Sequence, residues 1–262
     1  MIFESHAHYD DERFDSDRVE LLSLMKQNNI ERIVNVGSSL KSCRSTLELA
    51  KEYDFISAAI GVHPSDIACL DEEPEGLSLL YDTAKKNKDV VAIGEIGLDY
   101  YWDKEEDVQK RQKERFLEQL DIAHQLDLPV IIHSRDAAEE TFSIMKDAAA
   151  KGIRGVIHCY SYSPELAREY VKLGYHIGVG GVVTFKNGKK LKETVKEMPL
   201  SRILTETDCP YMAPSPFRGA RNDSTYIPYV IHEIAKLREI TDKEVMEVTC
   251  RNGYELFSRI KK

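Results

Sequence analysis

Cysteine is scarce in any usable arrangement in this chain. Its five cysteines, Cys43, Cys69, Cys159, Cys209 and Cys250, are scattered and odd in number, and no Cys-x-x-Cys occurs. Neither a disulfide framework nor a zinc knuckle is therefore indicated, and free thiols fit a reducing compartment. Positive charge is also in deficit. The 36 basic residues against 45 acidic ones leave a formal net charge of −9. This argues against general electrostatic attraction to nucleic acid, although a local basic patch or a bound metal reverses the sign where it sits. No apolar run is long enough to span a bilayer. The first strand is expected to begin almost at once, and no signal peptide is expected. No linker, low-complexity stretch or internal repeat is present. The expectation is a soluble, cytoplasmic, single domain over 1–262, with no membrane association and no obligate protein partner.

What the chain does have is alternation. Short apolar, β-branched segments recur at Ile2–His6, Arg32–Val36, Ile56–Val62, Val90–Ile96, Val130–His133, Gly155–His158, His176–Val179 and Ile203–Thr207. Charged segments with helical periodicity lie between them, at Asp17–Asn28, Leu40–Tyr53, Glu106–Leu126, Ala137–Ala150 and Pro164–Leu173. A long loop at Cys209–Tyr229, rich in Pro and Arg, precedes two more predicted helices, Tyr229–Arg238 and Asp242–Phe257. Strand followed by helix, repeated, is the pattern of a parallel α/β fold. Eight such strands in a chain of this length match a (β/α)8 TIM barrel. A doubly wound open sheet is the alternative, but it would not bring the ends of the first, fourth, fifth, sixth and eighth strands to one point.

Those strand ends carry the chemistry. In a strand, residues i and i+2 face the same way, so His6 and His8 can aim two imidazoles at one metal. His63, Glu95, His133, His158 and Asp208 each close a later apolar run. Singly, each has a bland reading. A lone histidine after an apolar strand is more often a hydrogen-bonded core residue, and Asp208 could cap a helix. Glu95 resists the bland reading, because a carboxylate ending an apolar strand is costly to bury unpaired, and its flanking glycines permit close backbone approach. Glu206 shares a strand face with Asp208 and reads either as an ion-pair or orienting residue, or as a proton-transfer group; the latter is favoured. In register, these residues predict a metal site at the C-terminal ends of the strands.

Taken together, His6-Ala7-His8, Gly61-Val62-His63-Pro64, Gly94-Glu95-Ile96-Gly97-Leu98-Asp99-Tyr100, Ile132-His133-Ser134-Arg135, His158-Cys159-Tyr160, Glu206-Thr207-Asp208-Cys209-Pro210-Tyr211 and Pro216-Phe217-Arg218-Gly219-Ala220-Arg221-Asn222 resemble the TatD family of metal-dependent deoxyribonucleases, within the amidohydrolase superfamily. The motifs run from Ile2 to Asn222 in the family's order. Three stretches depart from it: Glu4 stands where Asp is usual, Ser161-Tyr162-Ser163 replaces an aromatic-Ser/Thr-Gly-Ser run, and Asn222-Asp223-Ser224 lacks a proline.

The resemblance implies two divalent cations, Zn, Mg or Mn. His6, His8 and Asp208 would hold one, His133 and His158 the other, with Glu95 bridging. Related superfamily enzymes use a carbamylated lysine at the bridge, and no lysine ends the fourth strand here. It also implies hydrolysis of DNA phosphodiester bonds by a metal-activated hydroxide, trimming single strands or 3′ ends in the 3′ to 5′ direction, with Glu95, Glu206 and Asp208 catalytic. His63 and Arg135 would contact phosphate, and Arg218 and Arg221 the flanking backbone, helped by Lys186, Lys189 and Lys190. The alternatives are an amide or ester hydrolase, such as a D-aminoacyl-tRNA deacylase, and a non-catalytic metal-binding scaffold.

Overall fold

Eight short strands alternate with helices along residues 1–261, the part of the chain described by this computed structural model. The strands are β1 (Ile2–Ala7), β2 (Ile30–Val36), β3 (Ile56–Ile60), β4 (Val90–Asp99), β5 (Val130–Arg135), β6 (Gly155–Ile157), β7 (His176–Val179) and β8 (Ile203–Thr205). Hydrogen-bonded neighbours follow chain order from β1 to β8. A parallel bridge from Ala7 to Cys209 joins β1 to the residues just past β8. The architecture is the (β/α)8 barrel. Every residue of β1 and of β4 is buried, as expected of parallel strands covered on both faces.

The chain forms two compact units. One comprises Met1–Asn35 and Cys159–Glu255, and carries β7, β8, β1 and most of β2. In it, β7 registers on β8 from Ile177–Ile203 to Val179–Thr205. Phe3 packs edge-on against Tyr254, and Gly253 lies so close to the Phe3 ring that a Cβ there would meet it at 2.5 Å.

The other unit comprises Val36–His158 and the residues from Leu256 on, and carries β3 to β6. Its longest helix, Glu106–Leu126, buries Phe116, Leu120, Ile122 and Ala123 at helical spacing. The same helix fixes two strand ends through buried amides. Gln119 accepts from the Val62 N–H at 2.7 Å and donates to the Val62 carbonyl at 3.1 Å. Gln112 does the same for Asp99, at 2.9 and 3.2 Å. Each clasp satisfies backbone groups at a strand end, and each lies at a candidate functional residue: Val62 precedes His63, and Asp99 ends β4. Between β4 and β5, Gly97 has φ +148°, and a Cβ there would lie 1.9 Å from the His133 carbonyl oxygen. Only glycine permits that approach.

All eight predicted strands are present, with ends shifted by a few residues. The helix predicted over Asp17–Asn28 is not continuous: Arg18–Ser23 is helical, and a separate 3-10 turn follows at Lys26–Asn28. The physical reason is local. The Asn28 side-chain amide donates to the Leu24 carbonyl at 2.9 Å, competing with the helix ladder, and Asn29 turns left-handed at φ +60°. Helices at Cys69–Glu72, Gly76–Lys86 and Lys189–Glu197 complete the alternation.

Candidate metal centre

The first cluster stands on β1 and the turn after β8. His6 lies on β1 and His8 follows one residue past its end, and their Nε2 atoms lie 3.0 Å apart. Asp208 Oδ1 is 3.4 Å from His8 Nε2 and 3.7 Å from His6 Nε2. Asp208 is placed by its own backbone. Its N–H donates to the His6 carbonyl at 3.0 Å, and it sits in the left-handed region at φ +58°. Tetrahedral coordination at about 2.1 Å separates donor atoms by about 3.4 Å, so the three atoms already span one coordination polyhedron. Two imidazole nitrogens facing each other at 3.0 Å need a proton or a cation between them, and an acidic oxygen beside them favours the cation. The donor set fits a divalent metal.

Behind this cluster lies Glu4, fully buried. Its Oε1 accepts from the His6 and Thr207 N–H groups, and its Oε2 from the Thr207 and Ser224 hydroxyls, at 2.7–3.1 Å. One carboxylate thus ties the backbone of His6 to the residue before Asp208. Tyr9 continues the chain by donating to Ser224 Oγ at 2.8 Å. Burial pushes the Glu4 carboxyl up to about 8, against the pull of these donors.

The second cluster centres on Glu95 Oε1. His133 Nδ1 lies 2.9 Å from it, His158 Nε2 3.0 Å and His63 Nε2 3.8 Å. Burial works to raise the Glu95 carboxyl, but the imidazoles of His158, His63 and His133 outweigh it and hold it well below the ordinary carboxylate range. His133 uses its second nitrogen as well: Nε2 meets Asp99 Oδ2 at 3.0 Å. Burial lowers the His133 pKa, the bonds to Asp99 and Glu95 raise it, and the net shift is upward. With Asp99 able to accept from Nε2–H, Nδ1 could give up its proton and turn its lone pair to a cation shared with Glu95, which is the orientation a metal-binding histidine needs. Asp99 is a candidate positioning residue, through its contact with His133, that the sequence reading did not name. The signal was available, since Glu95 and Asp99 are four residues apart on one strand and share a face.

His63 groups with Glu95 and His133 as a possible metal ligand, but its hydrogen bonding argues otherwise. Its Nδ1 accepts from the Ser65 N–H at 3.1 Å. Burial and the neighbouring His133 depress its pKa to about 3, so the ring is neutral and its proton sits on Nε2. A protonated Nε2 donates to an oxygen and cannot bind a cation.

The remaining candidates are dispersed. Glu206, fully buried, accepts from the Cys159 N–H at 2.5 Å. Its carboxylate fits against Gly178, where a Cβ would meet Oε2 at 2.5 Å. It therefore braces the turn that follows His158. Arg135 lays its guanidinium 4.0 Å over the Tyr101 ring. Arg218 is exposed and lies 4.5 Å over Phe185. Arg221, expected to face a nucleic-acid backbone, instead turns to the fold. It pairs with both oxygens of Asp17 at 2.7 and 2.5 Å and donates to the Arg13 carbonyl. One carboxylate and one backbone carbonyl hold it, which its position in a basic loop did not reveal. Lys186, Lys189 and Lys190 are exposed.

The family model for TatD-related DNases matches residues 3–258. The chain is 45% identical over 258 residues to the uncharacterized metal-dependent hydrolase YabD of Bacillus subtilis, covering 98% of this chain and 99% of that one. It is 33% identical over 260 residues to the uncharacterized metal-dependent hydrolase YcfH of Escherichia coli, covering 98% and 96%. Among solved structures, the Escherichia coli TatD homologue YjjV superposes with a TM-score of 0.90 at 31% identity, covering 98% of each chain. An organophosphorus hydrolase variant shares the fold alone, with a TM-score of 0.64 at 14% identity. With its barrel fold, its imidazole–carboxylate clusters and these relatives, the chain belongs to the TatD-related DNase family of metal-dependent hydrolases.

Proposed function

We propose that this protein hydrolyses phosphodiester bonds of DNA, removing nucleotides from 3′ ends of unpaired strands, at a centre of two divalent cations. His6, His8 and Asp208 would hold one cation and His133 and His158 the other, with Glu95 shared between them. The observation that carries the reading is the convergence of imidazole nitrogens on single carboxylate oxygens, at 2.9 and 3.0 Å for Glu95 and at 3.4 and 3.7 Å for Asp208. A pair of divalent ions supplies an activated water and neutralises charge on attacking and leaving oxygens.

The chain's own residues do the rest. Asp99 holds the His133 tautomer. Glu4 fixes the strand that carries His6. Glu206 enters as a positioning residue, acting through the Cys159 amide. Neutral His63 presents an Nε2–H suited to a phosphate oxygen. Arg135 and Arg218 have no carboxylate partner among the described residues and supply local positive charge, as a chain of net −9 requires; Arg221 is left to the fold. Magnesium suits the carboxylates, and zinc or manganese the imidazoles.

The test is incubation of the purified protein with 3′- and 5′-labelled single-stranded DNA, with chelator and after readdition of each metal. Expected are metal-dependent loss of the 3′ label first, and at least about a hundredfold loss of rate in Glu95→Ala. Metal-independent turnover, or wild-type rate and metal content in Glu95→Ala, overturns the reading. Inert DNA with hydrolysis of an aminoacyl ester would assign the centre to acyl chemistry, and inertness on both would leave a metal-binding scaffold.

A further inference from the structure

Just past the end of β4, two adjacent aromatic side chains face solvent: Tyr101 is 43% and Trp102 66% exposed. Their rings meet edge to face, with centroids 4.7 Å apart. The Arg135 guanidinium lies 4.0 Å over the Tyr101 ring and 5.4 Å from the Trp102 centroid. Among the described residues this guanidinium has no carboxylate partner, although arginines elsewhere on the surface, such as Arg13, Arg18 and Arg221, each have one. The guanidinium thus stands over aromatic rings with no carboxylate to offset its charge.

The shelf is pinned to the candidate metal centre by one side chain. Asp99 Oδ1 accepts from the Tyr101 and Trp102 N–H groups at 3.0 and 3.1 Å, while Oδ2 meets His133 Nε2 at 3.0 Å. Arg135 stands two residues beyond His133 on β5, hence on the same face. Isolated exposed apolar residues need no explanation. Two exposed rings, fixed by the carboxylate that orients a candidate metal ligand and capped by an unpaired guanidinium, form a prepared surface.

We propose that Tyr101, Trp102 and Arg135 form a nucleobase-stacking subsite for an unpaired DNA strand, the base lying on the Trp102 indole and Arg135 contacting the adjoining phosphate. Sequence-tolerant binding of single strands requires this combination of aromatic face and cation. The inference rests on the proposed action on DNA and goes further, since a base paired in a duplex has no free face to offer the indole.

Trp102 is the only tryptophan in the chain, so intrinsic indole fluorescence reports on this subsite alone. Chelator-treated protein is titrated with a short single-stranded oligodeoxynucleotide, the same strand annealed to its complement, and an abasic strand of equal length. Saturable quenching by the first alone is the expected result. Equal quenching by the abasic strand would reduce the site to a phosphate contact and overturn the stacking proposal. With metal restored, Trp102→Ala should raise KM for single-stranded DNA about 5- to 100-fold, and Trp102→Phe should recover most of it. Metal content and turnover of a small aryl phosphodiester should not change. Cleavage without quenching, and with KM unchanged in Trp102→Ala, sinks this inference and leaves the nuclease reading standing. Quenching without cleavage keeps the subsite and sinks the nuclease. Absence of both sinks both.

Discussion

Replacing Asp99 by Asn probes the second cluster without emptying it. The substitution keeps the shape of the side chain. The amide oxygen can still accept from Tyr101 and Trp102, at present 3.0 and 3.1 Å away, so the turn after β4 should hold. What changes is the atom facing His133. In place of an oxygen 3.0 Å from Nε2, the ring meets an NH2 group, and two donors cannot share that contact. Burial alone would raise the Asp99 carboxyl, yet the bonds from His133, Trp102 and Tyr101 hold it below the usual range, a sign that the ionised form makes these bonds. Faced with a donor, the imidazole moves its proton to Nδ1 and loses the lone pair that points at Glu95. Losing such an orienting partner typically costs 10- to 100-fold in metal affinity, or about 1.4–2.8 kcal/mol at 1.4 kcal/mol per decade. Competition with a calibrated chelator should resolve one weakened class of site and one unchanged, because His6, His8 and Asp208 do not touch Asp99. Affinities within twofold of wild type at both would refute the tautomer argument.

Other consequences are equally direct. Gly97→Ala combines a left-handed φ with a Cβ 1.9 Å from the His133 carbonyl, a loss of about 2–6 kcal/mol from strain plus overpacking; a melting temperature within about 2 °C of wild type would contradict it. With Glu4 raised from 4.5 to about 8 in the fold, the folded chain holds a proton there that the unfolded chain has lost. The stability Glu4 contributes is therefore present at the acid end and falls as pH rises through that window. Urea midpoints of chelated protein at about pH 5 and about pH 8 should converge in Glu4→Gln, and an unchanged pH slope would exclude Glu4 as its source. Arg221→Ala, which removes an exposed ion pair, should change stability little and leave KM for DNA alone. Arg218→Ala should raise that KM with little change in turnover, and the reverse pattern would exchange their roles.

The strands and the histidine and acidic residues at their ends were legible in the sequence because both signals are local. An apolar β-branched run declares a buried parallel strand, and a polar residue at its end has few cheap explanations. The helix over Glu106–Leu126 was placed to the residue by its periodicity. Partners set by the fold were not legible. Nothing near Arg221 in sequence announces Asp17, 204 residues away. Nothing near Gln119 announces the backbone of Val62, 57 residues away. The break after Ser23 was missed because an asparagine amide, rather than a glycine or proline, ended the helix. Nothing local in the sequence marks Tyr101 and Trp102, because the Arg135 guanidinium that stands over their rings lies more than 30 residues further along the chain.

The seam between the two ends of the strand series has a mechanical side. The Asp208 N–H reaches the His6 carbonyl, the His8 N–H reaches the Cys209 carbonyl, and Ala7 bridges Cys209. The donors of the first cluster thus come from chain segments about 200 residues apart, as in the bond from Thr207 to Glu4. Bringing such distant segments together costs on the order of 5 kcal/mol in loop entropy before any contact is made. A cation gripped by His6, His8 and Asp208, as proposed, would work as a removable clasp on that closure. It could form only once residue 208 has been synthesised, and withdrawing it would loosen the contact between β1 and the turn after β8.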